Sequence, residues 1–307
     1  MIQSVYDLEI CDCHHHLWDL KELSYPWLMG NGFANQRVCG DYEGIRNRNF
    51  LLKDFRENRG RLKVTRLVHE EAVVDRADPV AETRWLQRIA DDSDSEGMPH
   101  GIVAYADFSR DDIEAILESH CSYPNIRGIR QLVHEAYIDP EDPKLSLLEE
   151  SSWRTRVGLC EKYGLSFDLQ IYPQQASDAE KLVAEHPGVT FIVTHSLLPV
   201  SKDADYMEVW EKAVKRIARF DNANIKLSGF GMFDRDWNAD TVSEVVLRVI
   251  DAFGARRCAF ASNFPVDSLA KMTYVGLWET FFEVVREFSD GEKAALFSET
   301  AKRLYRL

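Results

Sequence analysis

The stretch Leu165-Ser-Phe-Asp-Leu-Gln-Ile-Tyr172 alternates apolar and polar side chains with a period of two. A β-strand produces this alternation, because successive side chains point to opposite faces of the sheet. The apolar face suits packing against helices, whereas the other face carries a polar set: Asp168, Gln170 and Tyr172. We therefore predict a strand that is covered by helices on one face and lined by polar groups on the other.

Seven further short apolar or β-branched runs occur along the chain, at 8–14, 64–72, 101–108, 126–132, 189–195, 224–229 and 258–265. Apolar residues with helical spacing lie between most of these runs, for example from Val242 to Phe253. Strand followed by helix, eight times over, predicts an α/β protein with the (β/α)8 TIM-barrel fold.

Two segments depart from this repeat. The connection 20–63 is too long for a plain crossover and shows no clear helix, so we predict an insertion over the barrel mouth. The chain from 268 to 307 predicts two or three extra C-terminal helices, and Ser289 and Glu292 are spaced like a capping box. Without a repeat or a flexible linker, residues 1–307 are expected to form one domain.

The charge balance narrows the class of partner. The chain of 307 residues carries 51 acidic and 37 basic side chains, a net charge of −14, which argues against nucleic-acid and anionic-membrane surfaces. No apolar run reaches the ~20 residues of a membrane span, and residues 1–15 do not resemble a signal peptide. We expect a cytoplasmic protein with a small-molecule substrate, and a homo-oligomer remains open.

Polar residues collect where the predicted strands end. In a TIM barrel the carboxyl ends of the strands and the loops after them form the active site. The residues at these positions are His14, His16, Glu71, Arg130, Gln170, Tyr172, His195 and Asn263. Alternation in strand 1 predicts that Asp12, His14 and His16 share the interior face. Their convergence at one rim is the main functional signal.

The histidines at this rim suggest a metal. His14 and His16 lie two residues apart on a strand, about 6 to 7 Å along the backbone, which lets two imidazoles hold one divalent ion. His195 would complete a three-histidine set with an open position for water. Zinc is the first expectation for the ion, and a hydrogen-bonded polar mouth without metal is the alternative.

Two basic residues are candidate substrate ligands. Arg130 and Lys226 fall on the polar faces of strands 4 and 7. A guanidinium binds a carboxylate through two hydrogen bonds, so Arg130 is expected to hold an acidic substrate group, with Lys226 as a second anion binder. An ion pair inside the barrel is the alternative for both residues. Glu71, Gln170 and Tyr172 are expected to contact substrate as well.

These motifs together resemble the amidohydrolase-2 family, and more narrowly its sugar-lactonase and pyrone-dicarboxylate-lactonase branch. The resemblance spans nearly the whole chain and lies in the order and spacing of the motifs. They are Asp12-Cys-His-His-His-Leu-Trp-Asp19, Tyr25-Pro-Trp-Leu28, His69-Glu-Glu-Ala72, Gly128-Ile-Arg130, Val193-Thr-His195, Lys226-Leu-Ser-Gly229, Ala261-Ser-Asn-Phe-Pro265 and Phe297-Ser-Glu-Thr-Ala-Lys-Arg-Leu-Tyr305.

The resemblance implies a TIM barrel that hydrolyses a carbonyl compound at a site built from His14, His16, His195 and the residue ending strand 8. Many relatives have an aspartate at that last position, as metal ligand and general base, whereas this chain has Asn263. An amide can bind a metal but cannot take up a proton at neutral pH. Asp267 and Glu71 are the candidate replacement carboxylates, and a helix N-terminal role is the alternative for Asp267.

The departure also limits the metal count. Strand 5 lacks the histidine, and strand 4 the lysine, that binuclear relatives use, so at most one divalent metal is expected. We therefore predict a hydrolase, a lactonase, acting on a small acidic or polyhydroxylated lactone or related ester. Two alternatives remain open: a metal-independent lactonase or isomerase, and a barrel that binds a ligand without turnover.

Overall fold

Eight parallel strands form one sheet in which each strand pairs with the next along the chain. The computed structural model describes residues 2–30, 39–133 and 147–307. The strands are β1 (Glu9–His15), β2 (Lys63–Glu70), β3 (Gly101–Tyr105), β4 (Ile126–Arg130), β5 (Ser166–Leu169), β6 (Phe191–Val193), β7 (Ala223–Leu227) and β8 (Cys258–Phe260). Backbone hydrogen bonds from Asn263 N to His14 O (2.7 Å) and from His16 N to Phe264 O (2.8 Å) join the last strand to the first. The predicted (β/α)8 barrel is confirmed.

Helices lie between the strands and beyond the last one. Those described are α1 (Pro26–Met29), α2 (Leu52–Arg59), α3 (Ala81–Asp91), α4 (Ile113–Cys121), α5 (Ser151–Val157), α6 (Leu159–Lys162), α7 (Ala176–Glu185), α8 (Ala204–Ala218), α9 (Phe230–Phe233), α10 (Ala239–Phe253), α11 (Tyr274–Val284), α12 (Asp290–Ala294) and α13 (Thr300–Tyr305). The predicted capping box is present, since Ser289 accepts from the Glu292 amide and Glu292 from the Ser289 amide. In the ranges 2–30, 39–133 and 147–307, no helix has the length and apolar character needed to cross a bilayer.

The barrel has two apolar layers. A large core of aliphatic and aromatic residues fills the space between strands and helices. A smaller cluster of residues from several strands fills the barrel interior: Cys11, Cys13, Val68, Val103, Ile192, Ala259 and Ala261. Helix α13 closes this cluster with Ala301, Leu304 and Tyr305. The described interior is therefore packed at the end next to α13, and the opposite rim is the one at which TIM-barrel enzymes form their sites.

The expectation that Asp12 shares the interior face with the histidines was wrong. Cys11 and Cys13 are the interior residues, while Asp12 accepts a hydrogen bond from Tyr274 of α11, in the helix layer (2.9 Å). The pairing of β1 with β2 shifts between Asp12 and His15, which marks a bulge. A bulge changes which side chains face inward, so simple alternation fails across it.

The insertion contains more structure than its sequence suggested. Helix α2 occupies part of it, and Trp18 pairs with Phe50 through an isolated antiparallel bridge. Trp27 donates from Nε1 to Ala72 O (2.8 Å), which fixes this segment beside the end of β2. Trp27 and Cys39 of the described parts of 20–63 line the cavity at the end of the barrel, and residues 31–38 lie outside the described chain.

Candidate active site

A cavity opens at the carboxyl-terminal rim of the barrel. Its described lining includes six polar side chains from the ends of β1, β2, β4, β5, β6 and β8: His16, Glu71, Arg130, Gln170, His195 and Asn263. Trp27 and Cys39 of the insertion, with Met232 and Val266, add apolar walls. Six of the residues predicted from strand ends are therefore brought together in one cavity.

His16 has a defined protonation pattern. Its Nδ1 lies 2.8 Å from the backbone oxygen of Glu70, and a carbonyl oxygen can only accept, so Nδ1 carries the proton. Nε2 therefore keeps its lone pair, and it lies 3.4 Å from Oδ1 of Asn263. Burial holds the pKa of His16 well below 6.5, with positive Arg130 as a second cause, so the ring is neutral at pH 7. The cavity wall thus presents a proton acceptor.

His14 lies behind this wall with the opposite pattern. The ammonium of Lys226 faces its Nδ1 at 3.5 Å, and an ammonium only donates, so the proton of neutral His14 lies on Nε2. That Nε2 is buried and has no hydrogen-bond partner among the described residues. The ring centroid of His14 is 5.2 Å from that of His16 and 4.5 Å from that of His195. The three predicted imidazoles therefore do meet.

Lys226 is held in the interior and does not line the cavity. Its ammonium lies 2.8 Å from Oε2 of Glu70 and 2.7 Å from Oδ1 of Asp168, and all three side chains are fully buried. Burial would lower the pKa of Lys226, but the two carboxylates hold it above its ordinary value. The structure thus gives the ion-pair alternative rather than the predicted contact with substrate. Tyr305 adds a hydrogen bond to Asp168 (2.6 Å).

Arg130 forms one wall of the cavity with its charge already paired. Its guanidinium lies 3.0 Å from Oε1 of Glu71 and 3.3 Å from Oε1 of Glu70. Nη1 also approaches Oε1 of Gln170 at 3.4 Å. Because two carboxylates compete for this guanidinium, it is less suited to an anionic substrate group than the sequence suggested.

Asn263 takes the place of the expected aspartate and is fixed by a carboxylate behind it. Its Nδ2 donates to Oδ1 of Asp267 at 2.7 Å, which turns Oδ1 of the amide toward His16. Asp267 also accepts from the Gly231 amide (3.2 Å). Burial raises the pKa of Asp267 to about 7. Asp267 does not belong to the described lining of the cavity, and its contact with Asn263 links it to a residue that does.

His195 sits on an unusual backbone turn. Residues His195 to Leu198 all have left-handed φ angles, of 53°, 54°, 60° and 49°. L-residues pay roughly 1 to 2 kcal/mol each in a left-handed helical conformation. The imidazole is fixed at Nδ1 by the hydroxyl of Ser228 (3.0 Å), and His195 belongs to the described lining of the cavity. This turn follows β6 directly and aims the ring at the other histidines.

The donor set can be tested against a divalent cation. Nε2 of His16 and Oδ1 of Asn263 both present lone pairs toward each other, an arrangement that suits a cation or a water molecule. Nε2 of His14 carries a proton and cannot act as a ligand without a change of tautomer next to Lys226. Across the described residues, no group of three or more His, Cys, Asp or Glu side chains is placed to hold a metal. His16 and Asn263 are therefore arranged to bind a cation, whereas His14, His16 and His195 do not form a three-histidine metal site.

The structure differs from the site predicted from sequence at two further residues. Tyr172 is half-buried and does not belong to the described lining of the cavity. Glu70, which was not predicted, links Lys226, Arg130 and His14. Its neighbour Glu71 is the carboxylate that lines the cavity. Which of the two glutamates lines the cavity depends on the exact residue at which β2 ends.

Comparisons with known proteins identify the family of this chain. The profile of the family described as Amidohydrolase matches residues 11–307. The uncharacterised protein y4mH of Sinorhizobium fredii is 36% identical over 98% of this chain and 99% of its own length. An L-fucono-1,5-lactonase of Burkholderia multivorans is 23% identical, covering 96% of this chain and 95% of that protein.

A solved structure gives the same architecture. It is an amidohydrolase from Burkholderia multivorans with bound zinc, which superposes with a TM-score of 0.78 at 20% identity. The match covers 97% of this chain and 99% of the other. At this identity the likeness shows the fold.

Proposed function

Because the chain belongs to the amidohydrolase family and is an enzyme of its hydrolase type, we propose that it hydrolyses the ring ester of a small polyhydroxylated lactone. The observation that carries the proposal is the cavity that His195, Asn263, the Glu71–Arg130 pair and the neutral ring of His16 line together. A lactonase needs a positioned water, a proton acceptor and a group that polarises the carbonyl. The proposal assigns the water to His16 and Asn263, the role of proton acceptor to His16 and the polarising group to His195.

The attacking water is proposed to lie between His16 and Asn263. Nε2 of His16 and Oδ1 of Asn263 are 3.4 Å apart, so one water within about 2.8 Å of both can donate a proton to each. Its lone pair then points toward the carbonyl carbon. Asp267 holds the amide in this orientation through Nδ2 of Asn263.

Proton transfer is assigned to the same pair of groups. As water attacks, one proton passes to Nε2 of His16, and the Glu70 carbonyl bonded to Nδ1 stabilises the positive ring. When the ring C–O bond breaks, His16 returns that proton to the departing alkoxide oxygen. The products are a hydroxyl and a carboxylic acid on one opened chain, and the acid releases its proton to solvent at neutral pH. His195 is proposed to hydrogen-bond to the carbonyl oxygen during the attack.

A neutral sugar lactone fits the described lining better than a dicarboxylate. The charge of Arg130 is balanced by Glu70 and Glu71, and Lys226 is enclosed. Glu71 and Gln170 can hydrogen-bond to hydroxyl groups, and the indole of Trp27 offers an apolar face for a sugar ring. The lactonase name of the Burkholderia relative supports the same substrate class.

A divalent metal, zinc first, is proposed as an optional partner of this site. His16 and Asn263 are the residues that would hold it. Such an ion supplies Lewis-acid polarisation and lowers the pKa of bound water. Elemental analysis of protein purified without chelators distinguishes a metal-dependent enzyme from a metal-independent one. Stoichiometric zinc or manganese rules out a metal-independent lactonase or isomerase.

The direct test is a panel of neutral sugar lactones and dicarboxylate lactones, followed by acid release. We expect hydrolysis of a neutral lactone, and a loss of about 100-fold or more in kcat for His16→Gln, within the range of general-base catalysis. His120→Gln is the matched control, because His120 is also buried but lies outside the described lining of the cavity, with its two ring nitrogens bonded to Thr83 and Tyr105 O. A folded wild type that is silent on the whole panel contradicts the proposal.

Asn263 favours one further candidate, a barrel that binds the lactone without turnover. An Asn263→Asp variant that gains hydrolysis where the wild type has none would support this candidate. This candidate is excluded when the wild type hydrolyses the lactone and the variant is equally active or less active.

A further inference from the structure

The turn that carries His195 needs support from outside itself. Four consecutive L-residues, His195 to Leu198, have left-handed φ angles. Within the turn, Leu198 N donates to His195 O (2.8 Å) and Leu197 N to Thr194 O (3.1 Å). Such a conformation is rare for residues other than glycine and persists only where surrounding structure fixes it.

Helix α8 supplies that support through two side chains. Trp210 donates from Nε1 to the backbone oxygen of Ser196 at 2.8 Å. Tyr206 donates from its hydroxyl to the backbone oxygen of Leu198 at 2.7 Å. The two residues are four positions apart and therefore lie on one face of the helix. Together they bind alternate carbonyl groups of the same turn.

The contacts on the turn are matched by a contact on the ring. Ser228, after β7, holds Nδ1 of His195 at 3.0 Å. The imidazole is thus fixed at its ring by β7 and at its backbone by α8. Trp210 is fully buried and Tyr206 is half-buried, and neither belongs to the described lining of the cavity. Neither residue touches the cavity, so any effect on chemistry acts through His195.

We propose that Trp210 and Tyr206 are positioning residues that hold the left-handed turn and thereby aim His195 at the substrate carbonyl. The inference rests on the proposed function for the part that concerns the substrate. The part that concerns the ring of His195 can be measured without any substrate.

The test uses Trp210→Phe and Tyr206→Phe, each of which removes one donor and keeps an aromatic ring. Trp153→Phe is the matched control for the tryptophan, since Trp153 is also fully buried and donates from Nε1 to Gln131 (2.9 Å). Tyr163→Phe is the control for the tyrosine, because its hydroxyl donates to Glu114 and Glu118 and not to the turn of His195. Tyr206→Phe removes only one oxygen at a half-buried position, so it keeps the test open where the tryptophan variant fails to fold.

Two readouts are needed. In protein with 15N-labelled histidine, the ring signals of His195, assigned with His195→Gln, should shift or broaden in both variants and stay unchanged in the controls. On a hydrolysed lactone, kcat should fall about 10- to 100-fold with KM within about 2-fold, because a displaced group loses alignment while the binding residues remain in place.

Two results overturn the proposal. One is a His195 signal in Trp210→Phe and Tyr206→Phe that matches the wild type. The other is a kcat equal to that of Trp153→Phe and Tyr163→Phe. Where the wild type hydrolyses no lactone, the proposed function fails, and the histidine signals still decide whether α8 positions His195.

Discussion

Gly229 tests how closely His195 must be placed. A Cβ at Gly229 would lie 2.6 Å from Nδ1 and 2.8 Å from Cγ of His195. Ordinary van der Waals contact begins near 3.4 Å, so the ring would have to move by about 0.8 Å in the Gly229→Ala variant. The movement pulls Nδ1 away from the Ser228 hydroxyl at 3.0 Å.

Two costs follow from this displacement. The φ of Gly229 is +78°, so an alanine there introduces roughly 1 to 2 kcal/mol of backbone strain. The weakened hydrogen bond lowers the stability by about 1 kcal/mol more. Stability should therefore fall by roughly 2 to 3 kcal/mol. A misplacement near 1 Å at a reacting group costs about 100-fold in rate, so we expect a comparable drop in kcat.

Gly164→Ala is the matched control. Gly164 also has a left-handed φ, of +64°, and a Cβ added there would meet no heavy atom of the described residues within 4 Å, so its variant carries backbone strain without the clash. The assay compares urea unfolding and lactone hydrolysis of both variants with the wild type. Gly229→Ala should lose turnover that Gly164→Ala keeps. Equal turnover in the two variants would refute the argument that the position of His195 limits the reaction.

Three further predictions concern the charges around the site. Lys226→Met should lower the unfolding free energy in a urea titration by about 3 to 5 kcal/mol, because it removes the ammonium that pairs with two buried carboxylates. Lys202→Met, at an exposed ion pair, is the control and should lower the unfolding free energy by about 0 to 1 kcal/mol in the same titration. Burial raises the pKa of Glu82 from 4.5 to about 7, so between these pH values the folded protein keeps a proton on Glu82 that the unfolded chain has lost. The unfolding free energy of the wild type relative to that of Glu82→Gln should therefore fall by roughly 3 kcal/mol as the pH rises from about 4.5 to 7. A difference that stays constant with pH would contradict this. Asn263→Asp should bind zinc more tightly in equilibrium dialysis, because it adds an anionic ligand 3.4 Å from His16, and unchanged affinity would argue against a cation at this position.

The sequence predicts the barrel well because strand periodicity is a local property. Strand β5 keeps strict alternation, and Asp168 faces inward while Phe167 and Leu169 face the helices, as expected. Strand β1 breaks the rule at its bulge, which depends on pairing with β2 and leaves no mark in the local pattern of Asp12 and its neighbours.

The candidate site is predicted less completely, for a reason of depth. Alternation tells which face Lys226 occupies but not how far below the rim it lies, and β7 ends one residue later at Leu227. Its partner Glu70 comes from a distant part of the chain, so the ion pair is invisible to local reasoning. The left-handed turn at His195 is equally hidden, since no glycine occurs between His195 and Leu198 to announce it.

The most direct test of the account is hydrolysis of a neutral sugar lactone in 18O-labelled water by the wild type and by His16→Gln. The account predicts one 18O atom in the new carboxylate, formed by the wild type far above the uncatalysed rate and about 100-fold more slowly by the variant. A product that forms without label, or a variant as fast as the wild type, would contradict water attack assisted by His16.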